Sequence, residues 1–406
     1  MARLGWLDVL RGWAALLVAL HHASYLYVPG LQVRMAGWFD PGRYGVLVFF
    51  LVSGYIVPAS LERRGSVREF WIGRVFRIYP LLAAACAVAV LPFLLGLTGL
   101  RAGLERYDPV TAVLTHLTML QDLLAVPNAM NVLWTLSYEM VFYLLIVALF
   151  VVGAHRRSVP AAAGVAAAAL LVGGLLPMTL LSRVAGTGTV AGVTAAVFLA
   201  AIAAAMSGRP AVRTAGGLLG GLLALVLVTL NGRIAAWEGM SMLAVMFTGT
   251  VLYRAEHGQV GRRTAAVTAG FVLLAVVGTG VWNTAGYGTY AWHVQIVWSG
   301  SIVAAAVTFG AAWLLRRRRF PRWATALGTA SFSVYLLHPL MLMLSNQFFG
   351  TTGREEVPKL VAFVVVLLAV SWAAQRWIEA PAQRLGRRIA RPARVGESAP
   401  VTVPVA

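Results

Sequence analysis

The sequence has a single cysteine, Cys86, and a single lysine, Lys359. One thiol excludes a disulfide framework and a thiolate metal cluster. Its place in an apolar run reads as a small buried side chain. Acidic residues are scarce: 14 Asp and Glu stand against 33 Lys and Arg, a formal net charge of +19. Charged residues make up only 12% of the chain, where a soluble surface needs about a quarter. A soluble globular domain is thereby excluded. No compositional break marks a second folded unit. No strong similarity links the two halves, which counts against an inverted-repeat transporter.

What the chain has instead is apolar length. Sixty per cent of it is hydrophobic, and apolar runs of at least roughly 17 residues, enough to cross a bilayer core, recur from end to end. Hydropathy places twelve candidate spans near 12–29, 44–60, 79–99, 132–152, 159–181, 185–206, 214–230, 240–253, 264–281, 292–315, 327–349 and 360–378. Stretches rich in Ala and Gly such as 161–172 score weakly, so ten or eleven spans stay open. The expected fold is an all-α, polytopic transmembrane helical bundle of about 10–12 spans. Residues 1–388 are expected to form one membrane domain, followed by a disordered cytoplasmic tail over 389–406.

The basic residues are not spread evenly. They gather in alternate loops, at Arg63 to Arg77, Arg156 and Arg157, Arg209 and Arg213, Arg254 to Arg263, Arg316 to Arg322, and Arg384 to Arg394. The loop near 282–291 carries no charge. This positive-inside pattern predicts both termini in the cytoplasm and argues against nucleic acid as a partner. The first apolar run has no convincing small-residue cleavage site and carries Asp8, Arg11, His21 and His22, so it reads as a retained helix. Arginine in place of lysine, with abundant alanine, points to a GC-rich bacterial genome and hence to a bacterial cytoplasmic membrane. The longest stretch between spans, 100–131, mixes charged and apolar residues and reads as an interfacial or re-entrant helix on the outer side.

Ionisable groups inside a bilayer are costly, so each is a candidate for function. Arg11 and His22 lie eleven residues apart, about three helical turns and roughly 16 Å on nearly one face. His22 suits either a proton-abstracting role or a packing role satisfied by a neighbouring carbonyl. Ser53 and Gly54 end an apolar run, with a hydroxyl and a small residue that serve a site or helix packing alike. Arg74 and Arg77 share a helical face before Pro80, which is expected to open the third span. Paired guanidinium groups there grip phosphates bidentately or set topology against lipid headgroups. Glu139, with Thr135 and Tyr143 at i, i+4 spacing, needs an Arg or His partner inside the membrane, in a site or in a structural ion pair. Ser331, Tyr335 and His338 form one stripe, and Glu379 before Pro381 is expected to be a polar cap at the cytoplasmic surface; for both, site and support roles remain open.

Taken in order, these stretches resemble the acyltransferase 3 family of bacterial membrane O-acyltransferases. The resemblance rests on Leu7 to Arg11 with His22, Phe49 to Tyr55, Arg74 to Pro80, Trp134 to Tyr143, Ser331 to His338, and Glu379 with Pro381. It implies a core of about ten helices, acetyl- or acyl-coenzyme A as donor, no metal, and mostly carbohydrate acceptors such as surface polysaccharides or macrolide-type sugars. By the same resemblance, His22, Glu139 and Arg11 are the catalytic candidates. Arg74, Arg77, Tyr79 and Ser53 are candidates for the donor, and Trp134, Tyr335 and His338 for the acceptor. The chain departs from the family at Met140, where a second acidic residue is common, and at Leu337, where Trp is frequent. No hydrolase-like domain follows the last span, which implies a single-domain enzyme. In the expected mechanism His22 is the general base, Glu139 orients it or balances charge, and acceptor attack on the thioester is direct, with a covalent acyl-enzyme on Ser53 or His22 as the less supported alternative. The alternative is a polytopic transporter or flippase without acyl-transfer chemistry.

Overall fold

The structure is a computed structural model and describes residues 5–97, 99–350 and 352–390. Among them there are seventeen α-helices and no strand. The first six are α1 Gly5–Tyr27, α2 Pro29–Ala36, α3 Pro41–Arg64, α4 Val67–Leu94, α5 Pro109–Thr118 and α6 Trp134–Val151. Then come α7 Ser158–Leu171, α8 Leu180–Ala185, α9 Thr187–Ala205, α10 Pro210–Leu230, α11 Ala236–Glu256 and α12 Arg262–Thr284. The last five are α13 Ala291–Leu314, α14 Arg322–Thr329, α15 Ser331–Phe349, α16 Val357–Ala374 and α17 Ala380–Ala390.

Each expected span coincides with a helix. Eight helices are long and apolar enough to cross a membrane, and two pairs bent by 49° and 64°, at α7 with α8 and at α14 with α15, bring the number to ten. Helices α1 and α11 are as long, at 23 and 21 residues, but more polar. That polarity is what the site uses. The architecture is that of a multi-pass membrane protein. The tail expected over 389–406 lies outside the described residues from 391 onward; residues 389 and 390 still belong to α17.

Local chemistry sets the helix ends. Asp40 caps α3 by accepting from Arg43 N at 2.9 Å, Ser66 caps α4 by accepting from Glu69 N at 3.2 Å, and Asp108 caps α5 by accepting from Thr111 N at 2.8 Å. Gly65 closes α3 at φ 64°, a left-handed conformation that glycine adopts without a Cβ penalty. This tight corner lets α4 start at Val67, a dozen residues earlier than the span near 79–99 predicts. Arg74, Arg77 and Pro80 therefore sit inside α4 rather than in a loop before it.

Small residues bring the central helices together. A Cβ on Gly54 of α3 would collide with the Met246 carbonyl of α11, so the two backbones touch. Helix α1 packs on α3, α14 and α15, which places it in the middle of the bundle. Between α16 and α17 a single π turn, Gln375–Glu379, shifts the helical register. The expected polar cap is thus a correction: Glu379 is buried within a continuing helix and accepts from Ser333 of α15.

Candidate active site

Two cavities in the bundle share two lining residues, Val46 and Tyr335. The first, about 80 Å³, is lined by Arg11 of α1, Ser53 of α3, Arg74 and Arg77 of α4, Thr135, Glu139 and Tyr143 of α6, and Tyr335 of α15. Arg74 is buried, with Nη1 donating to Tyr143 Oη at 3.5 Å and Nη2 to Ser60 Oγ at 3.4 Å. Its guanidinium also stands over the rings of Phe70 and Tyr143, at 5.2 and 5.0 Å. A buried guanidinium held by hydroxyls and ring faces can take an anionic guest. Glu139 accepts from Tyr143 Oη and from Ser53 Oγ, the latter at 3.5 Å. Arg11 sits in the field of Arg77, Asp8, Glu139 and Glu379, so the cluster is a mixed network around a cationic centre. A further polar cavity of about 320 Å³ shares Arg74 and Arg77 and adds Arg64 and Arg387, extending the arginine surface toward α17.

The second cavity, about 160 Å³, lies on the other side of Tyr335 and Val46, which line both. His22 faces it, with His21, Asp40, Arg43, Trp134, Glu238 and Trp298. Arg43 stands 4.6 Å over the Trp298 ring and reaches Glu238 at 3.4 Å. The His22 and His338 rings lie edge to edge and nearly coplanar, with centroids 5.1 Å apart and 13° between planes. His22 Nδ1 lies 2.9 Å from His338 Nε2, and His338 Nδ1 lies 3.1 Å from the Val334 carbonyl. A carbonyl only accepts, so in a neutral His338 the proton is on Nδ1 and Nε2 holds a lone pair. His22 must then donate from Nδ1, which leaves His22 Nε2 unprotonated on the cavity side. This arrangement can take a proton from a hydroxyl.

The segment between α4 and α6 covers this end. Tyr79 Oη donates to the Leu117 carbonyl at 2.6 Å, tying α4 to α5. Asp122 is buried, hydrogen-bonded by Asn128 at 3.1 Å, and burial pushes its carboxyl above the usual range. Burial lowers His116, which accepts from Ala129 N at 3.0 Å and donates to the Ala112 carbonyl at 2.8 Å, the pattern of a neutral imidazole. Arg101 donates to Asn131 Oδ1 at 2.8 Å and to the Asn128 carbonyl at 3.4 Å.

The structure thus brings Arg11, Ser53, Arg74, Arg77, Glu139 and Tyr335 to one cavity, and His22, Trp134 and Tyr335 to the other. Three expectations are corrected. Tyr79 lines neither cavity: five residues beyond Arg74 is a rotation of about 140° around the helix, which turns it away. His338 does not face the acceptor space either; it is fully buried behind His22. Glu139 makes no bond to His22: its bonds go to Tyr143 and Ser53 in the first cavity, which leaves charge balance of its two expected roles, and the residue bonded to His22 Nδ1 is His338. Sequence reasoning also missed Asn131, Asp40, Arg43, Glu238 and Trp298. Glu238 carried a usable signal, an acid in the first turn of an apolar helix. Asp40 was disguised as an ordinary cap before proline.

The profile of a family described as "Acyltransferase domain" matches residues 4–376. Among curated relatives, Nodulation protein 10 of Rhizobium leguminosarum bv. viciae is 31% identical, over 34% of this chain and 41% of its own length. Acyltransferase MdmB of Streptomyces mycarofaciens is 33% identical, over 36% of this chain and 38% of its own length. The chain therefore spans about two fifths of the length of the curated relatives it matches. No solved structure matches it.

Proposed function

The chain belongs to the acyltransferase family whose profile covers residues 4–376, and from that premise we propose that it transfers a short acyl group from acyl-coenzyme A to a hydroxyl of a sugar-like acceptor. The observation that carries this reading is the His22–His338 pair, which holds a basic imidazole nitrogen at the cavity next to an arginine-lined one. That one relative bears the name Acyltransferase MdmB supports acyl transfer.

The two cavities suit two substrates. Arg74, Arg77 and Arg11, with Arg64 and Arg387 farther out, offer guanidinium groups to the phosphates of a nucleotide thioester. The positive-inside pattern puts this end at the cytoplasm, where acyl-coenzyme A resides. The His22 cavity combines Asp40, Arg43 and Glu238 with the rings of Trp134 and Trp298, a lining of hydrogen-bonding groups and flat apolar faces that suits a polyhydroxylated ring. Tyr335 and Val46 stand between, where thioester and hydroxyl meet.

His22 Nε2 takes the acceptor proton as the oxygen attacks the thioester carbon, and the resulting imidazolium is stabilised through His338. Binding both reactants in one water-poor bundle supplies orientation that a bimolecular encounter lacks. In detergent, purified His22→Ala should lose labelled-acyl transfer from acetyl-coenzyme A by at least about 10²-fold while its thermal melt stays close to wild type. Wild-type-like transfer by that folded variant would falsify the base assignment.

A further inference from the structure

Among the described residues, His22 Nε2, the nitrogen assigned above as the base, has one hydrogen-bond partner: Asn131 Nδ2 at 3.4 Å. An amide can turn either way, and Arg101 decides which. Guanidinium groups only donate, and Arg101 Nη2 lies 2.8 Å from the other end of the Asn131 amide, so that end is the oxygen. The amide NH₂ therefore faces His22, and it requires a lone pair on Nε2. The same tautomer follows from the opposite side through His338 and the Val334 carbonyl.

Asn131 opens the short turn before α6 and is exposed; it lines neither cavity itself, but its neighbours Val132 and Trp134 line the second. Arg101 is anchored by the Asn128 carbonyl, and Asn128 in turn by Asp122 and Gln121. Among the described residues the second N–H of the Asn131 amide has no partner. Its first loses its acceptor when His22 Nε2 takes up a proton. In the acyl-transfer reading, negative charge develops at that moment on the former thioester carbonyl oxygen.

Resting on the acyl-transfer reading, we propose that Asn131 donates to the oxyanion of the tetrahedral intermediate and that Arg101 is the positioning residue that keeps its NH₂ turned inward. The acceptor O–H gives its proton to His22 Nε2 as its oxygen bonds to the thioester carbon, and the carbonyl electron pair moves to oxygen. Asn131 donates to that oxygen. Re-formation of the carbonyl breaks the carbon–sulfur bond, and the leaving thiolate takes the proton back from His22. The amide gains its best partner only in the transition state, which is the condition for lowering the barrier rather than merely tightening binding.

The test uses the full chain in membranes of the native host, with acetyl-coenzyme A labelled on the acetyl group and label in product counted. Asn131→Ala should lower the maximal rate by about 10²- to 10³-fold while the KM for acetyl-coenzyme A stays within about twofold. Asn131→Asp should be slower still, because a carboxylate repels the oxyanion. Arg101→Met should lose activity through amide flipping, and Arg101→Lys, which also only donates, should recover much of it. A second readout needs no turnover: ¹⁵N spectra of histidine-labelled protein should show His22 Nδ1 protonated and Nε2 bare in wild type, and Arg101→Met should mix the two forms. Asn131→Ala retaining its rate within about threefold, or a proton on Nε2 in the wild type, overturns the inference. Wild-type membranes that transfer no label overturn the acyl-transfer reading itself, a result the variants cannot mimic.

Discussion

In the proposed reaction, His338, a residue outside both cavities, sets the tautomer of the base within one. Fully buried, it touches His22 from 316 positions away and passes on the constraint of a backbone carbonyl. Removing it leaves His22 free to put its proton on the cavity-facing nitrogen. His338→Ala should therefore lower the maximal rate of acetyl transfer by about 10²-fold with little change in the KM for acetyl-coenzyme A. His338→Gln, whose side-chain oxygen can accept from His22, should keep more activity than alanine. Steady-state kinetics on the two variants check this; equal loss in both would show that His338 only fills space. Of the two tasks expected of Glu139, orienting the base and balancing charge, only the second fits its contacts. Bonded to Tyr143 and Ser53, it offsets the arginine cluster rather than steering the base.

At the scale of elements, the segment between α4 and α6 brings Asn131 and Arg101 to His22 and is held by its own buried and half-buried polar groups. His116 is one of them, and its charge state links the segment to pH. Its folded pKa is lowered by burial, so the unfolded segment binds more protons. The stability it contributes is complete above the unfolded value of about 6.5 and is lost as pH falls below it. Asp122 acts in the opposite sense, since a raised carboxyl favours the folded form on acidification and loses that contribution as pH rises above its unfolded value. The two are separated by His116→Asn. Hydrogen exchange over 109–129 should quicken from about pH 7.5 to about pH 5 in wild type, after correction for intrinsic rates, and much less in the variant. An identical pH response in both proteins would rule out His116 as the source. The early start of α4 matters at the same scale: Gly65 and Ser66 make a corner tight enough to carry Arg74 and Arg77 into the bundle as helix-borne groups.

For the whole molecule, the proposed reaction makes orientation in the membrane decide which substrate reaches which cavity. The single cysteine makes this accessible to labelling after Cys86→Ala, since no other thiol interferes. In intact cells a membrane-impermeant maleimide should label Tyr287→Cys, in the uncharged loop between α12 and α13, and should spare Arg318→Cys, in the arginine-rich loop after α13, until the membrane is opened. The reverse pattern would invert the bundle and place the arginine cavity away from the cytoplasm.

Hydropathy and charge act position by position along a chain, so the sequence by itself determined an all-α bundle, each region that becomes a long helix, and the polar residues worth attention. Arg11 and His22 on one helix, and the pair Arg74 and Arg77, were legible because helical spacing is local. Contacts between distant segments are not local, and only packing decided them. Whether Glu139 meets His22 or Tyr143, whether His338 faces a substrate or a histidine, and which way Asn131 turns all depend on how α1, α6 and α15 dock. That docking follows from backbone approach at small residues such as Gly54, and from the shape of a core that no single stretch of sequence encodes.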